Sequence, residues 1–486
     1  MRALIALLLA AAPAFALSPR EAAAAARDWR TKHETEIVAE LSALVAIPNL
    51  ASDKVNIERN AAAIAEAFTR RGANVKLLRV EGAPPLVVAS IGTNSTKRTI
   101  TVYAHYDGQP VDAAQWTSPP WEPVLRGTGP EARLYGRSSS DDKAPIVAML
   151  AALDALRAAG AQPSVNLKFV LEGEEEAGSP HLASYIAQYH SELATDGWLL
   201  CDGPVHQSRH SQLYFGARGV TDLEITVYGP ARPLHSGHYG NWAPNPIVTL
   251  THLIDSMRDA DARILIEHFY DDVTPLTPAE REALAAIPPF DDDLKRELAL
   301  GRTEGKLPLN EAIHQPALNL RGILGGHVGE KASNAIATEA RASIDFRLVP
   351  AQTPERVRRL VEAHVAKQGF FIVRDEPDAA TRRAHPAVAR LNWGAGYPSA
   401  RTPLDAPLSR RVAAVITEAT GVAPYRLPTL GGSVPMHLFT DGGRTPVVGV
   451  PIVNHDNNQH AANENVRLQN LWDGIEVFAA LFSGLR

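Results

Sequence analysis

The stretch DKAPIVAMLAALDALRAAGAQPSVNLKFVLEG, residues 142–173, decides the fold class. Its first part, from Asp142 to Ala159, carries apolar residues at helical spacing, and Gly160 marks the stop. The apolar run VNLKFVLEG that follows is typical of a strand. Helices and strands that alternate with short connections favour a largely parallel mixed sheet covered by helices. The stretch therefore predicts an α/β fold.

The alternation extends outward from this stretch and then changes. A helical stretch spans about Ser18 to Ile47, and TITVYAH, residues 99–105, is typical of a strand. From about residue 212 the pattern differs, because LYFGARGVTDLEITVYG, residues 213–229, has the alternation of one long strand with a polar side. A strand, a helix and a strand follow over residues 339–377, which indicates a compact α+β unit.

These changes predict two domains. The first is discontinuous and comprises residues 20–211 and 390–486, and the second is an α+β domain inserted at residues 212–389. Residues 260–316 are rich in proline and charge, and we assign no structure to them.

The composition is that of a globular protein and excludes some classes of partner. Hydrophobic residues make up 45% of the 486 residues and charged residues 21%, with a formal net charge of -6. No long run of Lys and Arg occurs, so we expect no nucleic-acid partner. Cys201 is the only cysteine, so a metal site would use nitrogen and oxygen ligands with at most one thiolate.

The first residues have the features of a secretory signal peptide. MRALIALLLAAAPAFALSPR joins one Arg, an apolar stretch and the small-x-small pattern Ala14-Phe15-Ala16. The apolar stretch is shorter than the roughly 20 residues that span a bilayer, and no later segment reaches that length. We therefore predict a signal peptide over residues 1–16 and an exported protein, periplasmic or secreted, without a membrane span.

Five groups of imidazole and carboxylate side chains fall at strand ends or in adjoining loops, where parallel sheets collect ligands. The groups are His105 with Asp107, Asp141 with Asp142, the acidic run of Glu172, Glu174, Glu175 and Glu176, then Asp202, and His455 with His460. Each group alone has a simpler explanation, such as a helix cap or a solvated acidic turn. Together they suit Zn²⁺, Mn²⁺ or Co²⁺, and several carboxylates indicate two ions.

These residues lie in motifs that resemble those of the M20 metallopeptidases, and within that family the carnosinase-like, nonspecific dipeptidase branch. The motifs follow the family's order through the whole mature chain: HYDGQP (105–110), LYGRSSSDDK (134–143), EGEEEAGS (172–179), LLCDG (199–203), PLHSGHYG (233–240), IDFRLVP (344–350), GGSVP (431–435) and HAANE (460–464). The resemblance implies a zinc-peptidase-like catalytic domain, an inserted lid or dimerisation domain, and a homodimer.

The resemblance also implies a role for each metal ligand. Asp141 would be the carboxylate that bridges two zinc ions per subunit, with Mn²⁺ or Co²⁺ as alternatives. His105 and Asp202 would complete the shell of one ion, and Glu176 and His460 that of the other.

The resemblance also implies that three further residues take part in catalysis. Glu175 would be the general base that takes a proton from the metal-bridging water and delivers it to the leaving amine. Asp107 would hold the imidazole of His105 in its ligating tautomer. His235, in relatives often acting on the partner subunit's site, would stabilise the oxyanion.

The remaining implied residues would bind the substrate's terminal carboxylate or backbone: Arg347, Asn334, Gly432 and Ser433. Two departures from the family pattern stand out. Ala144 follows Asp-Asp-Lys where Gly is usual, and Thr429 and Leu430 replace the Arg-Glu common in this branch. The second departure bears on substrate choice and not on metal binding.

The expected function is that of an exported dinuclear-zinc peptidase that hydrolyses dipeptides or similar short peptides. An N-acyl-amino-acid deacylase or carboxypeptidase of the same family would use the same metal centre. A noncatalytic metal- or peptide-binding protein is a third possibility, which Glu175 beside a full ligand set argues against.

Overall fold

The computed structural model describes residues 16–92 and 94–486. Two compact units are formed. The first unit holds the described residues up to Phe215 together with Thr402–Arg426 and Leu438–Arg486, and the second holds Gly216–Arg401 and Leu427–His437. The predicted signal peptide lies outside the described residues except for Ala16, its last residue.

The first unit is built on an eight-stranded mixed sheet. Across the sheet the strands are Asn74–Leu78, Leu86–Ile91, Asn166–Glu172, Thr99–His105, Gly197–Leu200, Val447–Gly449, Gln212–Tyr214 and Tyr425–Leu427. The third to the sixth of these run parallel to one another, and antiparallel pairs flank them. The predicted α/β class with a largely parallel mixed sheet is confirmed.

Helices cover this sheet. They are Pro19–Arg30, Glu34–Val45, Lys54–Arg70, Lys143–Ala158, Leu182–Gln188, His190–Leu193, Pro407–Thr420 and Leu468–Gly484, with 3-10 turns at Ala113–Gln115, Gly129–Glu131 and Glu175–Ala177. The helices Lys143–Ala158 and Leu468–Gly484 are buried along most of their length and pack against each other. Their all-round burial explains why the sequence of the former is apolar on nearly every face.

The predicted helical stretch from Ser18 to Ile47 consists of two helices. Ser18 begins the first with a capping box that it forms with Glu21. The first helix ends at Arg30, and His33, which precedes the second helix, has a non-helical backbone. The intervening Thr and His have weaker helix propensity than the Ala-rich run before them, which is consistent with a break there.

A separate three-stranded sheet joins distant parts of the first unit. Its strands are Val124–Arg126, Arg133–Tyr135 and Asn465–Arg467, and the last two pair antiparallel. This pairing holds the residues that precede the helix Lys143–Ala158 against a segment that follows the last parallel strand.

The second unit contains a five-stranded sheet with helices packed against it. The strands in order are Ala317–Leu324, Glu339–Leu348, Gly219–Tyr228, Val388–Tyr397 and Phe371–Val373. The helices Pro246–Met257 and Pro354–Lys367 share the buried apolar cluster with this sheet. The other strands of the second unit are Gly216–Ala217, Leu234–His235, Ala335–Ile336 and Ala400–Arg401. Its other helices are Ser236–Tyr239, Pro278–Ala285, Asp291–Glu297, Leu309–Ala312 and Ala379–Ala384, with a 3-10 turn at Gly329–Lys331. The short helix Met436–Phe439 begins in the second unit and ends in the first.

The single long strand predicted over residues 213–229 is wrong. The segment forms three strands, Gln212–Tyr214, Gly216–Ala217 and Gly219–Tyr228, in three different sheets. At Gly219 the backbone of Ser399 comes so close that an added Cβ would lie 2.5 Å from its nitrogen. The two breaks fall at Phe215 and Arg218, each directly before a glycine that another backbone approaches, and the alternation of side chains does not reveal them.

Candidate metal centre

Five acidic and histidine side chains meet at the carboxyl ends of the parallel strands of the first unit. His105 ends one parallel strand, Asp202 follows the next by two residues, and Glu176 lies in the 3-10 turn after a third. Asp141 lies just before the buried helix, and His460 lies in the loop that follows the fourth parallel strand. The topology thus brings together residues that are far apart in sequence.

The five side chains form two groups that could each hold a metal ion. Ligand atoms of His105, Asp141 and Asp202 all lie within 4.8 Å of one another, and so do those of Asp141, Glu176 and His460. Asp141 Oδ1 is 2.9 Å from His105 Nε2, and Asp141 Oδ2 is 3.2 Å from His460 Nε2. His460 Nε2 is also 3.1 Å from Glu176 Oε2. One carboxylate therefore offers an oxygen to each group.

The donor atoms of this cluster fit divalent cations. Imidazole nitrogen and carboxylate oxygen suit Zn²⁺, Mn²⁺ and Co²⁺, and the set does not distinguish among these ions. The buried thiol of Cys201 is not part of either group among the described residues.

Burial and mutual charge shift the pKa values within the cluster. Burial, reinforced by the Asp141 carboxylate, raises the pKa of Asp202 to about 7. Hydrogen bonds to Asp141 and Glu176 raise the pKa of His460 to about 10. Burial would raise the pKa of Asp141, but hydrogen bonds from His105 and His460 outweigh it and lower that pKa. The cluster therefore binds protons that bound cations would displace.

The neighbours Glu175 and Glu176 are held by a single carboxylate. Asp107 Oδ1 accepts the backbone N–H of Glu175 and Asp107 Oδ2 that of Glu176, each at 3.0 Å. Burial raises the pKa of the Glu175 carboxyl well above its usual value. The charge of His105 opposes this increase, and the charge of Asp202 reinforces it. A half-buried carboxylate with raised proton affinity beside a ligand cluster is suited to general-base catalysis.

The predicted contact between Asp107 and His105 is long. Asp107 Oδ1 lies 3.4 Å from His105 Nδ1, and that nitrogen makes no hydrogen bond of normal geometry. The orienting role of Asp107 toward the imidazole stays a prediction, whereas its hydrogen bonds to the two glutamate amides are well formed.

Two residues of the site were not predicted, although both lie inside the motifs HYDGQP and HAANE. Gln109 of HYDGQP donates from Nε2 to Glu176 Oε2 at 2.7 Å. Glu464 of HAANE is buried and accepts the backbone N–H of Asp141 at 3.0 Å. Motif membership was the only signal, because neither spacing nor residue type indicates these partners.

Two of the predicted substrate-binding residues contact each other in the second unit. Arg347 lies on the strand Glu339–Leu348 and donates from Nη1 to Ser433 Oγ at 2.9 Å. Its Nε donates to Asp345 Oδ2, also at 2.9 Å. These two contacts fix the plane of the guanidinium.

His235 and Asn334 are also brought together in the second unit. The short strand that ends at His235 pairs with the strand that begins at Ala335, and the Asn334 carbonyl accepts the N–H of Ser236 at 2.8 Å. The His235 side chain is exposed, and its Nδ1 accepts the N–H of Gly237 at 3.1 Å. Gly432, the remaining predicted residue, accepts the N–H of Arg218 with its carbonyl at 3.2 Å.

Residues 101–483 match the Peptidase family M20/M25/M40. The chain belongs to peptidase family M20. This M20 chain is 28% identical over 467 residues to the Cys-Gly metallodipeptidase dug1 of Schizosaccharomyces pombe, over 92% of this chain and 95% of the relative. It is 28% identical over 411 residues to the Beta-Ala-His dipeptidase of Homo sapiens, over 82% and 77% of the two chains.

A solved structure extends the likeness to the fold. The M20 family metallo-carboxypeptidase Sso-CP2 from Sulfolobus solfataricus matches with a TM-score of 0.78 at 27% identity, over 92% of this chain and 99% of that one. The family resemblance seen in the motifs is confirmed, and the M20 chain is a metallopeptidase that hydrolyses amide bonds. Within the part of the chain that the structure describes, no helix has the length and apolar character of a bilayer span.

Proposed function

We propose that this M20 chain is a dinuclear-zinc peptidase that hydrolyses dipeptides or similar short peptides. The observation that carries the proposal is the pair of ligand groups that share Asp141, with Glu175 one residue from the ligand Glu176. The names of two relatives, a Cys-Gly metallodipeptidase and a Beta-Ala-His dipeptidase, support substrates of two residues.

The residues present divide the chemistry among them. Bound divalent cations would polarise the scissile carbonyl and make the attacking water more acidic. Glu175 takes a proton from the water and delivers it to the leaving amine nitrogen. Asp107 holds Glu175 and the proposed ligand Glu176 in fixed positions by accepting their backbone N–H groups.

His235 is proposed to stabilise the oxyanion. Its Nδ1 accepts a backbone N–H, so the neutral ring carries its proton on Nε2. An exposed Nε2–H is a suitable donor to the oxygen that becomes negative when a carbonyl is attacked. The assignment to this role rests on the family motif, and the hydrogen bond at Nδ1 supports it.

Arg347 is proposed to bind the free carboxylate of the substrate. Its guanidinium is already oriented by Asp345 and Ser433, so little conformational entropy is lost on binding. A planar guanidinium can meet a carboxylate with two parallel hydrogen bonds.

Glu175→Gln is the test of this mechanism. The variant should keep about two metal ions per subunit, because Glu175 is not in either ligand group, but lose hydrolysis by at least about 10²-fold, as expected for removal of a general base. Metal content by mass spectrometry and turnover of a dipeptide are the two measurements. Retained turnover would disprove the assignment of the base, and loss of both metals would disprove the ligand groups.

A second candidate function is that of an N-acyl-amino-acid deacylase or carboxypeptidase. One observation favours it: Sso-CP2 is named a carboxypeptidase. Thr429 and Leu430, which stand where this branch commonly has Arg-Glu, bear on the choice of substrate without favouring either class. Turnover of unblocked dipeptides, compared with that of their N-acetyl and N-succinyl counterparts on the zinc-loaded enzyme, separates the two. Preference for the acylated substrates would replace the dipeptidase proposal with this one.

We also propose that the protein is exported and forms a homodimer through the second unit. Residues 1–16 support export, and sequencing the N-terminus of protein recovered from the periplasm or medium would test it. The edge strand Ala317–Leu324 supports the dimer, because exposed apolar residues lie on it and just after it. Among them, Leu324 is 66% exposed and Val328 is 89% exposed.

A further inference from the structure

The buried carboxylate of Glu464 lies against the loop that carries Asp141. Its side chain is 1% exposed. Oε1 accepts the backbone N–H groups of Ser140 and Asp141, each at 3.0 Å, and the Ser140 hydroxyl at 2.8 Å. Oε2 accepts the backbone N–H of Ser138 at 2.9 Å and Arg137 Nη1 at 2.8 Å. One carboxylate thus fixes a run of residues that ends at the ligand shared by both groups.

The backbone of Glu464 connects this loop to the segment that carries His460. Its carbonyl accepts the N–H of Gly136 at 3.0 Å. The residues that follow, Asn465–Arg467, pair with Arg133–Tyr135 in the small sheet. His460 lies four residues before Glu464 in the chain. Two segments that each supply a ligand are therefore joined through one residue.

The charge of Glu464 is balanced inside the protein. Arg137, 2% exposed, forms an ion pair with it at 2.8 Å and lies 5.2 Å from the centre of the Trp116 ring. A buried carboxylate is costly unless several donors surround it, and here five hydrogen bonds do so. Such a fully satisfied network holds its members in one geometry.

We propose that Glu464 is a positioning residue that sets the orientation of Asp141 and its separation from His460 before metal binds. The inference rests on the dinuclear centre proposed above. Glu464 is not in either ligand group, so it acts through the backbone of the loop. Without this restraint the ions themselves must order the loop, and that loss of conformational freedom weakens their binding.

Glu464→Gln is the direct test. Glutamine has nearly the same shape, but its NH₂ group donates hydrogen bonds and cannot accept them. In either orientation of the amide, this NH₂ would face groups that also donate. We expect the affinity for at least one zinc ion to fall by about 10- to 100-fold, as measured by competition with a chromophoric chelator. The visible spectrum of the Co²⁺-loaded variant should change as well, because it reports the geometry of the ligands.

Turnover separates positioning from direct catalysis. Activity of Glu464→Gln should recover as free zinc is raised to saturation, whereas Glu175→Gln should stay inactive at every zinc concentration. The matched control is Glu280→Gln, which removes a buried carboxylate of the second unit that pairs with Arg401 and accepts the N–H of Thr277. This control should bind zinc with wild-type affinity.

A milder variant covers the case in which Glu464→Gln does not fold. Ser140→Ala removes one hydrogen bond to Glu464 without leaving an unpaired buried charge, and it should weaken zinc binding in the same direction. Wild-type zinc affinity in folded Glu464→Gln, or in Ser140→Ala if the first variant does not fold, would overturn the positioning role. A wild-type protein that binds fewer than two ions would instead refute the dinuclear centre itself.

Discussion

Glu175 and Glu176 illustrate how neighbours in sequence acquire different surroundings. The carboxylates of EGEEEAGS are among those that indicated two metal ions, and the structure places Glu176 beside His460. The sequence could not show that both backbone amides of this pair are held by Asp107, 68 and 69 residues away. Such a contact depends on the meeting of two strand ends and leaves no local pattern.

His314 provides a pH-dependent prediction at the residue scale. Burial lowers its pKa to about 4, its Nδ1 donates to the Asn310 carbonyl, and its Nε2 is buried without a hydrogen-bond partner. The unfolded chain has a pKa near 6.5 for histidine and binds the proton first, so stability is lost as the pH falls from about 6.5 to 4. The total loss from this residue is about 3 kcal/mol.

The variant His314→Gln should flatten this dependence, since glutamine can still donate to the carbonyl but does not titrate. Urea unfolding at pH 7 and pH 4.5 would measure it: the wild-type protein should lose about 2 kcal/mol more than the variant over this interval. The exposed His268 of the same unit, replaced by Gln, serves as the control for loss of an imidazole. Equal losses in wild type and His314→Gln would contradict the prediction.

At the scale of elements, periodicity predicted most of the helices and strands that carry the site. The helix expected from Asp142 to Ala159 spans Lys143–Ala158, and the strand expected over residues 99–105 is Thr99–His105. The failures were at breaks, namely the division of the first helical stretch and of the strand over residues 213–229. Periodicity records which side chains are buried, and a break made by the approach of another backbone does not disturb it.

The strand Val447–Gly449 yields a prediction about packing. A Cβ on Gly449 would clash with the ring of the fully buried Tyr214, its partner on the neighbouring strand. The Tyr214 hydroxyl donates to the carbonyl of Asp202 at 2.9 Å, so a displaced ring would also disturb a proposed ligand. Gly449→Ala should therefore lower the free energy of unfolding by about 1–3 kcal/mol.

Chemical denaturation measures this loss directly. Gly301→Ala is the control, because an added Cβ there meets no atom within 4 Å and the backbone has no positive φ. A Gly449→Ala protein as stable as this control would show that the sheet accommodates the methyl group without cost.

For the whole molecule, the alternation of helices and strands predicted the fold class, and the sequence motifs named all five residues that converge on the candidate centre. The order of the motifs made the prediction of these residues possible, because eight short motifs in the order of the family indicate one arrangement of the strand ends. The segment 260–316 remained unassigned, and it forms three short helices, the longest of them Pro278–Ala285. These helices have too few turns for a helical periodicity of apolar residues to be visible in this proline-rich sequence.

The proposed homodimer makes a prediction at this scale. Leu324→Asp places a charge on the exposed end of the edge strand of the second unit and should shift the protein from dimer to monomer in light scattering. Val422→Asp, which alters an exposed apolar residue of the first unit, should leave the dimer intact. If the wild-type protein is a monomer, the proposed dimer does not exist. If Leu324→Asp is still a dimer, the interface lies elsewhere.

The discontinuity of the first unit has a consequence for biosynthesis. Residues 105, 141, 176 and 202 leave the ribosome before the whole second unit, whereas His460 and the restraining Glu464 come after it. A nascent chain that ends at Arg401 lacks Val447–Gly449, the sixth strand across the eight-stranded sheet. It also lacks the imidazole of His460. In the proposed dinuclear centre, both cations can be captured only after translation has passed residue 460, so partially made chains would lack the complete ligand set.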